Sequence, residues 1–223
     1  MVARNADFAG SWYPGRSTDC RRTIEEFSRS AVPCPPGPAF GGIVPHAGWV
    51  FSGKIACNVI RCLSEQSSPD TLILFGRHLH PSSKSYIMTE GSWATPLGDL
   101  EIDAEVGKKL QAEFPFVVET PTRYDQDNTI ELQLPFIKHY FPETKILPLG
   151  VPPATGSLRV GERAVEISRE LGRKTLVLGS TDLTHYGHNY GYAPKGVGKA
   201  AVDWVKNEND KRVVDLILRM DAE

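Results

Sequence analysis

Three apolar runs each end in a turn that carries histidine. Gly42-Ile43-Val44 leads into Pro45-His46-Ala47-Gly48. Leu72-Ile73-Leu74-Phe75-Gly76 leads into Arg77-His78-Leu79-His80. Leu176-Val177-Leu178-Gly179-Ser180 leads into Thr181-Asp182-Leu183-Thr184-His185. Short continuous runs of this kind read as buried strands. Pro45 stops the first, because it has no N–H to give a ladder. Gly48 permits a tight turn, and Ser52 is placed to cap a helix over 53–63. Residues just past the carboxyl ends of strands are where open α/β sheets place their chemistry.

Helical periodicity fills the spaces between. A helix over 17–30, capped by Ser17 or Thr18, carries Ile24 and Phe27 on one face. Asp103 caps a helix to about residue 114. Asp127 or Asn128, with Glu131 three or four residues on, resembles a capping box before the stripe Leu132, Leu134, Phe136, Ile137 and Tyr140. Pro135 predicts a kink there. Helices follow over 157–171 and 198–220, the last broken around Asn207-Glu208-Asn209. Further strands fall at 85–89, 116–119 and 145–151, and Leu97-Gly98-Asp99 is a turn. Ala9-Gly10-Ser11-Trp12-Tyr13-Pro14-Gly15 is turn chemistry around two aromatics, suited to folding back over the body. Residues 32–38 hold four prolines and a glycine and form a stiff loop. Strands alternating with helices predict a three-layer α/β sandwich around a mixed sheet.

Composition narrows the function. The 223 residues suit one domain of ordinary size or two small ones, and read as one domain, 1–223. A net charge of −2 lacks the basic footprint of non-specific nucleic-acid binding. No apolar run approaches the roughly 20 residues of a membrane span, and the first residues lack a signal-peptide core, so a cytoplasmic address is expected. Cys20, Cys34, Cys57 and Cys62 form no CxxC pair and read as reduced thiols used as small apolar residues, with Cys34 on the more exposed loop. Glycine-rich phosphate loops are absent, which disfavours a nucleotide enzyme.

Six histidines carry the candidate chemistry. His139, between Lys138 and Tyr140, reads as an ordinary surface or interface residue, and His188 as a solvated loop residue or a support to the site. His46, one of His78 and His80, and His185 with Asp182 make a metal constellation. Neutral imidazoles with a carboxylate suit a divalent transition metal: two His and a carboxylate fit iron, three His fit zinc. A metal-independent alternative uses His185 oriented by Asp182 as general base, with Ser180 or Thr181 as nucleophile.

These stretches resemble the Memo family. The carrying residues are Ala9-Gly10-Ser11-Trp12-Tyr13-Pro14, Pro45-His46-Ala47-Gly48 with Ser52-Gly53, Phe75-Gly76-Arg77-His78-Leu79-His80, Thr129-Ile130-Glu131-Leu132-Gln133-Leu134-Pro135-Phe136 and Ser180-Thr181-Asp182-Leu183-Thr184-His185-Tyr186-Gly187. The resemblance implies a fold like the non-haem Fe(II) extradiol ring-cleaving dioxygenases, with a pocket at the strand ends. It implies His46, His80 and His185 as metal ligands, His78 being the rival to His80. Asp182 would be a ligand or support, and Glu131 and Asn128 pocket-edge groups for catalysis. Asn128 stands where the family usually has a histidine. The family's site cysteine and closing strands lie beyond the last helix seen here, so a missing C-terminal closing segment is expected. The implied cofactor is iron, copper or zinc. The implied function is a redox or oxygen-dependent enzyme of unknown substrate, linked to AMMECR1-like and radical-SAM proteins. The alternative is a non-catalytic binding or adaptor module, taking a small molecule or peptide in the same pocket without metal.

Overall fold

The computed structural model describes residues 2–221. The chain divides into two compact units, one running to Thr181 and the other starting at Asp182.

The first unit is built on a six-stranded sheet. Its members are β2 (Gly41–Val44), β3 (Thr71–Gly76), β4 (Ser85–Met88), β7 (Phe116–Glu119), β8 (Lys145–Gly150) and β9 (Thr175–Ser180). Their order is β2-β9-β3-β8-β4-β7. β2, β9, β3 and β8 run parallel, and β4 turns antiparallel to β8, making the sheet mixed as predicted. β2 was expected to be buried. It is an edge strand, and Ile43 is 45% exposed. A smaller sheet joins β1 (Ala3–Arg4), β5 (Ser92–Trp93) and β6 (Leu100–Glu101).

Alternation along the strands divides the core in two. Leu72, Leu74, Ile146, Leu176 and Leu178 face a cluster that includes Cys20 and Ile24 of α1 (Ser17–Arg29), Ile60 and Leu63 of α2 (Lys54–Gln66) and Phe136 of α5 (Leu134–Tyr140). Ile73, Leu147 and Leu149 face Val106 and Leu110 of α3 (Ala104–Glu113) and Val160, Ala164 and Ile167 of α6 (Thr155–Glu170). Helices on both faces of a mixed sheet give the three layers.

Several local expectations are corrected. Ser52 does not cap a helix: a π-helical turn, Trp49–Gly53, precedes α2, and Ser52 Oγ donates to Ala47 O at 3.0 Å. The residue before α1 is Arg16, with no side-chain cap. Pro135 does not kink a continuous helix. The chain breaks into α4 (Asn128–Glu131) and α5, with Pro135 in the first turn of α5, where its missing N–H costs nothing. Cys34 and Cys62 are joined in a disulfide, whereas Cys20 and Cys57 are buried free thiols as expected.

The N-terminal segment folds back and is held by buried charge. Glu131, fully buried, accepts from Phe8 N at 2.7 Å, Asp7 N at 3.0 Å and the Tyr13 hydroxyl at 2.9 Å. The capping-box role is left to Asp127, which accepts from Thr129 N at 3.0 Å. Arg4 is 1% exposed and lies between the rings of Trp93 and Tyr124, 3.6 and 4.2 Å from their centroids. Its Nη1 pairs with Glu119 at 3.0 Å and its Nη2 donates to Asp125 O at 2.7 Å.

The second unit is helical. A loop with a 3-10 turn, His188–Tyr190, precedes α7 (Lys199–Trp204), a π-helical turn over Val205–Asn209, and α8 (Asp210–Leu218). The irregular turn falls where the polar run 207–209 predicted a break. Thr184 N and Asn209 Nδ2 tie the loop to the helices, the first through Asp210 Oδ1 at 3.1 Å and the second through Thr184 Oγ1 at 2.7 Å. Among the described residues no helix is long and apolar enough to cross a membrane.

Removing the Glu131 carboxylate strands three donors. Glu131→Ala is expected to cost about 2–4 kcal/mol in urea unfolding, with faster amide exchange at Asp7 and Phe8. Burial, the largest effect, raises the Glu131 carboxyl above its ordinary 4.5 despite the three donors. A raised carboxyl binds its proton more tightly when folded. Its contribution is therefore fully present below about pH 4.5 and is lost as pH rises through the folded value, then flat above. Glu131→Gln removes that slope, and urea unfolding followed from pH 4 to 8 measures it.

Candidate functional site at the carboxyl ends of β2 and β3

Parallel register decides which residues meet. Val44 pairs with Ser180 and Phe75 with Gly179, so β2, β9 and β3 end level with one another. Thr181 N donates to Val44 O at 2.9 Å and extends the ladder by one bond. His46 follows β2 by two residues, and His78 follows β3 by two. Their rings meet edge to face, with centroids 4.9 Å apart at 85°. His46 is 6% exposed, whereas His78 lies open to solvent.

Counting protons at Ser180 fixes the His46 ring. Ser180 Oγ donates its hydrogen to Thr129 O at 2.7 Å. It therefore accepts from His46 Nδ1 at 3.1 Å and from Gln133 Nε2 at 3.4 Å. Nδ1 carries the proton, and in the neutral imidazole the lone pair resides on Nε2. The turn itself is braced from below. Gln133 Nε2 donates to Pro45 O at 2.9 Å, and Asn128 Nδ2 lies 3.4 Å from His46 O.

His78 is aimed by strained backbone. Gly76 packs so closely that a Cβ there would stand 2.3 Å from Thr129 Oγ1. Arg77 then adopts φ +77°, a left-handed conformation that costs a non-glycine residue free energy. Contacts to both its backbone and its side chain hold it. Arg77 N donates to Thr129 Oγ1 at 2.6 Å, and Thr129 Oγ1 donates to Asp127 Oδ1 at 2.7 Å. The guanidinium pairs with Glu119 at 2.9 Å and lies 3.9 Å from the centroid of the Tyr86 ring.

The remaining candidates are placed as follows. His80, favoured as the second-strand ligand, is exposed, and its Nδ1 lies 2.8 Å from Ser82 Oγ. The ring beside His46 is that of His78, which directly follows the left-handed Arg77. Glu131 is not at a pocket edge: its carboxylate is engaged by the N-terminal segment. Asn128 does lie against His46. Ser180 is a support and not an activated nucleophile, since its hydrogen goes to a carbonyl and His46 donates to it. Asp182 and His185 belong to the second unit, where Oδ2 and Nε2 are 3.5 Å apart and His185 stacks on Tyr190 at 5.0 Å. His139 is half-buried with its ring against Tyr140, and burial lowers its pKa. His188 opens the 3-10 turn. Sequence reasoning missed Thr129 and Gln133 as supports. Their signal was the i, i+4 spacing that places both side chains on one helical face.

Two imidazoles, one with its tautomer set, are half of a four-coordinate nitrogen donor set. Among the described residues, no three His, Cys, Asp or Glu side chains form a group that could hold a metal ion.

A mixed sheet between two helix layers, with histidines beyond two parallel strands that flank a third, defines an α/β protein whose site lies at the carboxyl edge of its sheet. A family model described as Memo-like protein matches residues 4–223. A MEMO1 family protein of Methanopyrus kandleri is 33% identical over 197 residues, covering 83% of this chain and 70% of the relative. One from Thermococcus onnurineus is 31% identical over 228 residues, 99% of this chain and 78% of the relative. One from Caldivirga maquilingensis is 33% identical over 184 residues, 81% of this chain and 60% of the relative. The chain belongs to the Memo family.

Arg77→Gly and Arg77→Ala remove the same guanidinium, but only alanine keeps the left-handed penalty. The glycine variant is expected to be more stable by about 1 kcal/mol in paired urea unfolding. Equal stability would show that Arg77 is unstrained.

Proposed function

We propose that this Memo family chain works through a histidine-lined, transition-metal-binding pocket beyond β2 and β3, serving a redox or oxygen-dependent reaction on a small molecule. The observation that supports the reading most is the His46 tautomer. Ser180 Oγ accepts a hydrogen bond from Nδ1–H, so in the neutral ring Nε2 is the nitrogen with the lone pair, the state an imidazole needs in order to ligate a metal. His78 supplies a second imidazole at the mouth. Imidazole donors suit iron, copper or zinc, and a bound ion of this kind would supply Lewis-acid or redox chemistry. A complete site calls for further donors; Asp182 and His185, expected as such from the sequence, belong to the second unit. The chain's own contribution is to hold His46 rigid through Ser180, Gln133 and Asn128. A functional link to AMMECR1-like and radical-SAM proteins belongs to this reading on resemblance alone.

A second reading, a binding or adaptor module without metal, is favoured by the lack of a three-group cluster among the described residues. Metal analysis by inductively coupled plasma mass spectrometry separates the two. Protein purified anaerobically without chelator is expected to carry near-stoichiometric iron, copper or zinc. His46→Ala loses it, His78→Ala weakens it, and His80→Ala leaves it unchanged. Metal content unaffected by His46→Ala overturns the assignment. Metal-free protein that resists reconstitution favours the binding module.

A further inference from the structure

We propose that Cys34 and Cys62 are a reversible redox pair whose oxidised form staples the proline-rich loop to α2 and thereby steadies β2, the edge strand leading into His46. The inference is independent of what the histidine pocket binds.

The two cysteines are selected by their surroundings. Cys34 sits half-buried in the loop 32–38, and Cys62 lies on α2 with its Cα 5.2 Å from that of Cys34. Their charged neighbours differ. Glu65 Oε2 is 3.1 Å from Cys34 Sγ, within reach to accept the thiol proton when the reduced pair reacts. Arg61 Nη2 is 3.6 Å from Cys62 Sγ and places a cation beside that sulfur. The other two thiols are built to be inert. Cys20 and Cys57 are buried, and burial pushes the Cys20 thiol up to about 12.

Exchange with a small-molecule disulfide, RSSR, balances without another reactant. The thiolate of Cys34, the more accessible sulfur, attacks RSSR, forms a mixed disulfide and releases RS⁻. The Cys62 thiolate, held beside Arg61, then attacks Cys34 Sγ and expels the second RS⁻. Two protein thiols are oxidised, one RSSR is reduced, and the two thiol protons end on two RSH. Excess RSH reverses the sequence.

The staple matters because little else fastens the loop. Four prolines deprive it of N–H donors, and Arg61 Nη2→Val32 O and Gln66 Nε2→Pro35 O, both 2.9 Å, are exposed bonds. A cavity of about 310 Å³ remains beneath it, lined by Val32, Pro35, Pro38, Val59 and Leu63. The disulfide closes a span of 28 residues that contains β2 and His46. α2 rests directly on this strand: a Cβ at Gly42 would stand 2.7 Å from Val59 Cγ1. Among the described residues β2 pairs with one strand, β9, so what holds its flanks decides how often it opens.

The full chain, equilibrated in glutathione buffers from reducing to oxidising, is trapped with iodoacetamide and its peptides weighed, while hydrogen exchange is read at residues 41–44. Cys34 and Cys62 are expected to oxidise together, with Cys20 and Cys57 unmodified until the protein is unfolded. Reduction is expected to speed exchange at 41–44 by about tenfold or more. Cys34→Ser and Cys62→Ala should each match the reduced protein and ignore the buffer. Failure of the pair to oxidise in the native protein, or exchange at 41–44 that is the same in both states, overturns the proposal.

Discussion

β9 pairs in parallel with β2 on one side and β3 on the other, and the site depends on that pairing. Three parallel strands in register end at one edge, so whatever follows them must share the space beyond. β2 delivers His46 and β3 delivers His78. β9 delivers Ser180, the hydroxyl that orients the first of these rings. A slip of one residue in either pairing would turn these side chains to the opposite face and dissolve the arrangement.

Around this edge the chain uses buried charge as fastening. Glu131 holds the N-terminal segment, and Glu119 holds Arg4 and Arg77 together. Truncating one partner of such a group leaves the others buried and unpaired, a penalty larger than the net worth of the pair. Arg77 links the fastening to the site. The contacts that neutralise its guanidinium also hold its backbone in the left-handed state that aims His78. Strain of this kind persists only when its surroundings over-determine it.

Much of the fold was legible from apolar periodicity. Val44, Leu72, Leu74, Leu176 and Leu178 lie in the core, and the strand–helix alternation produced the layered sheet. That β2 lies at an edge was not legible, because strand order is set by contacts distant in sequence. His46 could be read from its position after a proline-stopped strand. The choice between His78 and His80 could not, because strict alternation says nothing of a left-handed residue at Arg77. The disulfide escaped for a similar reason. Cysteines 28 residues apart are brought together by the loop lying against α2, not by spacing. Glu131 carried a capping signal, yet the unsatisfied donors of residues 7 and 8 claimed its carboxylate instead.

The central claim is that Ser180 fixes the His46 tautomer. Long-range proton–nitrogen NMR of the imidazoles, on ¹⁵N-histidine-labelled metal-free protein near pH 8, tests it most directly, with His46→Gln to assign the signal. The account predicts a neutral His46 ring protonated at Nδ1, becoming a mixture of tautomers in Ser180→Ala. A ring protonated at Nε2, or a spectrum untouched by loss of the Ser180 hydroxyl, would contradict it.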